Sequence, residues 1–265
     1  MTCLVFVTAF WFAGGMRLAA IGDAHLGRSY LPVTTAGGVN QREVDFERSF
    51  EAAVDLALVQ QPDLVVWLGD IFDHPRPTYR SYRVAQRGLT RVREHGLKAV
   101  VISGNHDTPR LPGTGSPYST LADTFPEMHF AHRLAYERFE LEGLVVHAVP
   151  QMMTVGAALE ALDEAARRRD AGKTNLLLTH PRLIQLQPRH SDINEIEVDA
   201  GRLLSDLVLL VTTTRSRPCR TPCGTPDRQT PSRSLTTRRR LRGSSCSTPT
   251  AVSAGTSRWR GVARW

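Results

Sequence analysis

The chain has 265 residues, 41% of them hydrophobic and 22% charged, enough to bury a full core in one large domain or a domain with a small appendage. Its net charge of +7 is unevenly placed: twelve arginines and one acid, Asp227, follow Leu210, so the body before them sums to −4. An acidic body with an Arg-rich tail excludes a uniformly basic protein, and four cysteines at Cys3, Cys219, Cys223 and Cys246 exclude a disulfide framework in the body.

The first apolar run, residues 4–13, has the character of a signal core, but no positive residue precedes it. Met16 is the expected start, with residues 1–15 a doubtful extension, because residues 16–21 already read as a first strand. No apolar run reaches membrane-spanning length, so a cytoplasmic protein without a membrane partner is expected. Four apolar runs then end in polar clusters. Residues 18–21 lead into Gly22-Asp23-Ala24-His25, and residues 64–68 into Gly69-Asp70 and Asp73. Residues 99–103 lead into Gly104-Asn105-His106-Asp107, and residues 175–178 into Thr179-His180.

Helical patterns separate the first three runs. Residues 43–61 place Val44, Phe46, Phe50, Val54 and Leu58 at helix-like spacing, and residues 78–95 alternate Tyr, Val and Leu with Arg. Strands alternating with such helices predict βαβ units and a largely parallel sheet. Residues 111–119, rich in Pro and Gly, read as a loop. Residues 128–150 read as two or three strands, and residues 157–171 as a charged amphipathic helix. A fifth apolar run, residues 207–210, ends in Val211-Thr212-Thr213-Thr214 instead of a polar cluster.

Asp-x-His, Gly-Asp-x-x-Asp, Gly-Asn-His-Asp and a later His form a mixed oxygen and nitrogen donor set, suited to divalent ions such as Mn, Fe or Zn. Two ions about 3.5–4 Å apart can share a carboxylate and activate water for in-line attack on phosphorus. Each motif alone is weak; all four in this order, each at a strand end, are specific.

With those motifs, residues 16–210 resemble the calcineurin-like metallophosphoesterases, an α/β fold of four layers, α/β/β/α. Within them the chain is similar to the nuclease subunit of the bacterial double-strand-break repair complex that pairs with an SMC-like ATPase. The cues are Gly22-Asp23-Ala24-His25-Leu26-Gly27-Arg28, Gly69-Asp70-Ile71-Phe72-Asp73 with Arg76-Pro77, and Gly104-Asn105-His106-Asp107-Thr108-Pro109-Arg110. The resemblance implies two divalent ions, manganese first. Asp23 and His25 would hold one, Asn105 and His180 the other, and Asp70 would bridge. It implies His106 as the acid facing the scissile phosphate, oriented by Asp107, with Asp73 in support and Arg28, His74 and Arg110 as candidate substrate contacts. It also implies DNA as substrate, exonuclease chemistry, an SMC-like ATPase partner and a homodimer. A small-molecule phosphodiesterase or phosphatase, and a non-catalytic remnant, are the competing readings.

The family also needs Gly-His-x-His at the end of the fifth strand, and this chain has no His after His190. Shifting the reading frame of Val211-Thr212-Thr213-Thr214 by one base gives codons NGT, NAC, NAC, NAC, which admit Gly-His-Tyr-His. The same shift makes residues 223–227 compatible with Trp-Tyr-Ala-Gly. Residues 211–265 are therefore expected to be out of frame and disordered, a blander account of the arginines than a nucleic-acid arm. His147, within an apolar run, is expected to be a hydrogen-bonded core histidine, and the arginines of residues 79–93 a solvated helix face.

Overall fold

The computed structural model describes residues 6–11, 15–30, 32–185, 195–214 and 232–235. Its first sheet takes β1 (Phe6–Trp11), β2 (Arg17–Gly22), β3 (Leu64–Leu68), β4 (Lys98–Ile102) and β5 (His129–Ala131), in that spatial order. β1 runs antiparallel to β2, and the remaining pairs are parallel. The second sheet begins with β6 (Glu137–Leu141), antiparallel to β7 (Leu144–Val149), which pairs in parallel with β8 (Thr174–Thr179). Two short strands, β9 (Arg182–Leu183) and β10 (Glu197–Val198), pair with each other. β11 (Leu207–Leu209) then adds to β8 in parallel, with Leu209 opposite Leu178. β12 (Val211–Thr214) pairs antiparallel with β13 (Ser232–Leu235).

Strand alternation divides the interior. Leu18 and Ala20, Leu64, Val66 and Leu68, and Val100 and Ile102 pack with Leu144, Val146, Leu176, Leu178, Leu207 and Leu209 between the two sheets. The alternate residues Ala19, Ile21, Val65, Trp67, Ala99 and Val101 face Phe50, Val54, Val84, Leu89 and Tyr118 on the other side. Those partners come from α1 (Gln41–Val59), α2 (Tyr79–Glu94) and α3 (Pro117–Thr124). On the far face of the second sheet, Leu177 and Val149 meet Ala158, Ala161, Leu162 and Ala165 of α4 (Val155–Arg167). Because side chains leave a strand on alternate faces, one run of apolar residues can serve two cores at once. The layers are therefore α/β/β/α, as the family resemblance implied.

Thr78 caps α2 by accepting the Ser81 N–H at 3.1 Å, and three of the arginines that follow reach α1. Arg80 pairs with Glu47, Arg87 with Glu51 at 2.8 Å, and Arg91 with Asp55, a ladder between the two helices. These three side chains are exposed to solvent, as expected of a solvated helix face, and add surface ion pairs across a helix pair that packs through Phe50, Val54, Val84 and Leu89. One expected loop is also partly helical. Residues 111–119 contain a single 3-10 turn, Pro112–Thr114, and the start of α3. Ser116 caps that helix by accepting the Tyr118 N–H at 3.2 Å, and Pro117 occupies its first position, where a missing N–H costs nothing. His147 is the core histidine expected: Tyr136 Oη lies 2.8 Å from its Nδ1 and Asn175 Oδ1 lies 3.1 Å from its Nε2. Burial pushes its pKa down, which keeps the ring neutral. His190, and the Arg-rich tail apart from residues 211–214 and 232–235, lie outside the described residues.

Candidate metal centre

Three parallel strands that neighbour one another, β2, β3 and β4, release their loops at the same sheet edge. The loops are then sewn together by backbone hydrogen bonds. His25 N–H donates to the Asp70 carbonyl at 2.9 Å, Leu26 N–H to Ile71 at 2.8 Å, and Asp73 N–H to Leu26 at 3.1 Å. Asp23, His25 and Asp70 each take left-handed backbone, with φ of 54°, 44° and 52°. That region costs a non-glycine residue about 1–3 kcal/mol, and such strain concentrates where side chains must be aimed.

The side chains converge on Asp70, which is 2% exposed. Its Oδ2 lies 3.8 Å from His25 Nε2 and 3.4 Å from His180 Nε2. His180 arrives from the end of β8; its Nδ1 donates to the Leu68 carbonyl at 2.5 Å, which turns Nε2 toward Asn105 Oδ1 at 3.1 Å. Asp73 Oδ1 lies 3.1 Å from His25 Nδ1 and 3.4 Å from His106 Nδ1, and the two imidazoles meet edge to face at 4.6 Å. Asp107 is fully buried and accepts N–H bonds from Gly104 at 2.9 Å and Phe72 at 3.2 Å, and a third bond from the Tyr118 hydroxyl.

Two donor groups follow, each with its atoms within 4.8 Å: His25, Asp70 and His106, and Asp23, Asp70 and His180. Both contain Asp70. The grouping sets Asp23 beside His180 and His25 beside His106, whereas the resemblance assigns Asp23 and His25 to the same ion. Carboxylate and imidazole donors so arranged fit a borderline or hard divalent cation. The backbone fits too, since a Cβ at Gly104 would stand 2.1 Å from Asp70 Oδ1, the atom that accepts the His106 N–H at 2.9 Å. Gly104→Ala should cost about 2 kcal/mol, as overpacking commonly does. At about 2–4 °C per kcal/mol for a domain of this size, the metal-free thermal midpoint falls by about 4–8 °C. An unchanged midpoint in calorimetry would contradict the close approach.

Burial alone would raise the Asp70 pKa, but the charge of His180 and its hydrogen bond, then His25 and His106, hold it well below the usual carboxylate range. Burial works to lower His180, yet the Asp70 charge and hydrogen bond push it up to about 10. The metal-free site is thus an aspartate–imidazolium pair. For Asp107, burial and then the Asp70 charge push the carboxyl up to about 7, against its three hydrogen bonds.

The structure brings together Asp23, His25, Asp70, Asp73, Asn105, His106, Asp107 and His180. Arg28 joins them, its Nη1 3.5 Å from Asp73 Oδ1. His74 and Arg110 are exposed, and His74 Nδ1 accepts the N–H of Arg76 at 3.0 Å within its own turn. No motif pointed to Tyr118; the Ser116-Pro117 cap was the available signal.

Residues 16–200 match the family model described as calcineurin-like phosphoesterase. The chain belongs to that family. This calcineurin-like phosphoesterase is also similar to curated proteins named DNA double-strand break repair protein Mre11. That of Saccharolobus solfataricus is 28% identical over 174 residues, 65% of this chain and 43% of the relative. That of Sulfurisphaera tokodaii is 27% identical over 184 residues, 69% and 45% of the two chains. The Methanococcus maripaludis protein is 33% identical over 107 residues, 40% and 27%. The chain therefore spans less than half the length of these relatives. The family binds divalent metals and hydrolyses phosphoesters, and no described helix of this phosphoesterase is long and apolar enough to cross a membrane.

Proposed function

We propose that the complete gene product is a two-metal phosphodiesterase acting on DNA ends, a cytoplasmic homodimer partnered by an SMC-like ATPase. Its phosphoesterase domain is residues 16–210, preceded by an extension. The observation that carries this reading is the pair of donor groups sharing Asp70. The similarity to proteins named for double-strand break repair favours DNA over small phosphoesters. Divalent ions, manganese first, supply Lewis acidity and activated water when bound.

The chain's own groups do the remaining work. Asp70 would be the carboxylate shared by the ions, and Asp23, His25, Asn105 and His180 would complete the present donors. His106 faces the phosphate as hydrogen-bond donor to the leaving oxygen. Asp73 lies within 3.4 Å of ring nitrogens on both His25 and His106, so it orients the pair, and Arg28 balances its charge. Asp107 fixes the loop bearing Asn105 and His106. Hydrolysis of linear DNA, compared with nitrophenyl esters, at saturating manganese tests the substrate class. Ester turnover without DNA cleavage by the frame-restored protein would move the assignment to small molecules.

The chain as written falls short of that activity, because residues 211–214 carry Val-Thr-Thr-Thr where the family places Gly-His-x-His. We infer that the gene is frameshifted after Leu210 and that residues 211–265 are out of frame. Codon compatibility supports the inference, and so does position. Continuing the β11–β8 register past Leu209 and Leu178 brings residue 211 level with His180. An uninterrupted frame in independently cloned DNA would remove the inference. In this chain the site is a non-catalytic remnant holding less than its full complement of ions.

Metal uptake must displace the His180 proton. With that pKa near 10, the proton is in place below about pH 9 and lost as pH rises through about 10, so affinity rises with pH. Manganese titrations between pH 6.5 and 8.5 should show Kd falling about tenfold per pH unit for one displaced proton. A flat profile would remove His180 from the ligand set.

A further inference from the structure

Tyr118 is fully buried, sits in the first turn of α3, and belongs to no motif of the site. Its hydroxyl donates to Asp107 Oδ2. That oxygen also accepts the Phe72 N–H at 3.2 Å, while Asp107 Oδ1 accepts the Gly104 N–H at 2.9 Å. One carboxylate thus joins three segments: the loop after β3, the loop after β4, and α3. The two N–H donors belong to the loops being held, so they can only fix one loop against the other. The phenol is carried by a third segment, α3. Its ring meets Phe72 edge-on at 6.2 Å and lies over His132 at 6.3 Å. Its backbone is set by the Ser116 cap and by Pro117.

We propose that Tyr118 is a positioning residue: its hydroxyl, through Asp107, references the loops carrying Asp70 and Asp73, and Asn105 and His106, to the helical layer. The proposal rests on the metal reading above. Asp70 Oδ1 accepts the His106 N–H at 2.9 Å, so a shift of the Gly104–His106 turn moves the shared carboxylate as well as the imidazole. A donor supporting ligand-bearing loops in this way acts as an outer partner of the metal, which aims the ligands without touching the ion.

Tyr118→Phe keeps the ring and its packing and removes only the hydroxyl. In the full chain it should weaken manganese binding about tenfold, the lower end of what loss of an outer partner costs. Amide hydrogen exchange, followed without metal, should quicken in peptides covering residues 69–74 and 103–108 and stay unchanged across residues 144–149. Because Tyr118 acts through Asp107, Tyr118→Phe added to Asp107→Asn should change affinity little beyond Asp107→Asn alone. Wild-type affinity together with unchanged loop exchange would overturn the proposal, and so would additive losses in the double variant. A purely structural tyrosine would lower the thermal midpoint and leave affinity and loop exchange where they were. If the wild-type chain takes up no manganese, the metal reading fails, and the exchange measurement alone decides the role of Tyr118.

Discussion

Asp70→Asn should abolish manganese binding at both donor groups while leaving the fold intact. The substitution keeps the size of the side chain and removes one charge. A ligand shared by two ions has more to lose than an outer partner, so affinity should fall by more than about a hundredfold. The metal-free protein should respond as well. His180 is pushed up to about 10 by the Asp70 charge against a burial effect of opposite sign. With Asn at position 70 the burial effect is opposed only by the Asp23 charge and the Leu68 carbonyl, so the ring should release its proton at a lower pH than in the parent chain, visible as a titration shift of its imidazole resonances. The linkage also has a definite sign. A raised His180 pKa stabilises the metal-free fold below about pH 6.5, and that contribution is lost as pH rises through 10. In Asp70→Asn the alkaline loss should shrink and move to lower pH. Manganese binding as tight as in the parent chain would end the bridging assignment.

The second large effect concerns the fifth strand. Combining Val211→Gly, Thr212→His and Thr214→His should raise manganese stoichiometry to two and bring phosphodiesterase activity above background. The glycine matters as much as the histidines. A Cβ at Gly22 would stand 2.3 Å from Val211 Cγ2, so the valine packs directly on the backbone that precedes Asp23. Val211 is buried in the core between the sheets, and shortening it to Gly gives the following residues room to approach. Equilibrium dialysis with manganese reads the stoichiometry, and cleavage of linear DNA reads the activity. An ion count no higher than that of the parent chain would show that residues 211–214 are not where the missing ligands belong. If the gene is frameshifted as proposed, repair of the whole reading frame should exceed the triple variant, because it also replaces the tail that follows.

Much of this arrangement was legible in the sequence, for a physical reason. A parallel strand buried on both faces reads as an unbroken apolar run, and its loop must begin where the polar residues begin. That is why residues 64–68 and the Gly-Asp after them announced both a strand and the carboxylate on which the site converges. Helix α3 was less legible, because Pro and Gly around residue 113 look like loop throughout, while the helix depends on one serine cap and one proline. The arginines of α2 were legible as a helix face, but their partners Glu47, Glu51 and Asp55 lie 33 to 36 residues away and no local pattern connects them. Tyr118 was invisible for the same reason: its partner is chosen by packing. The donor grouping, with Asp23 beside His180, depends on how the second sheet lies against the first, which strand periodicity does not encode.

The left-handed backbone at Asp23, His25 and Asp70 sets how this protein can change over generations. Aspartate and asparagine tolerate that conformation well, whereas β-branched residues do not. One base change converts an aspartate codon into an asparagine codon, discarding the charge and keeping the turn. A gene released from selection therefore has a short route to silencing its chemistry while keeping its loops. The shape of the site should outlive its activity among descendants of such a gene, and folded, metal-poor relatives are the products to expect.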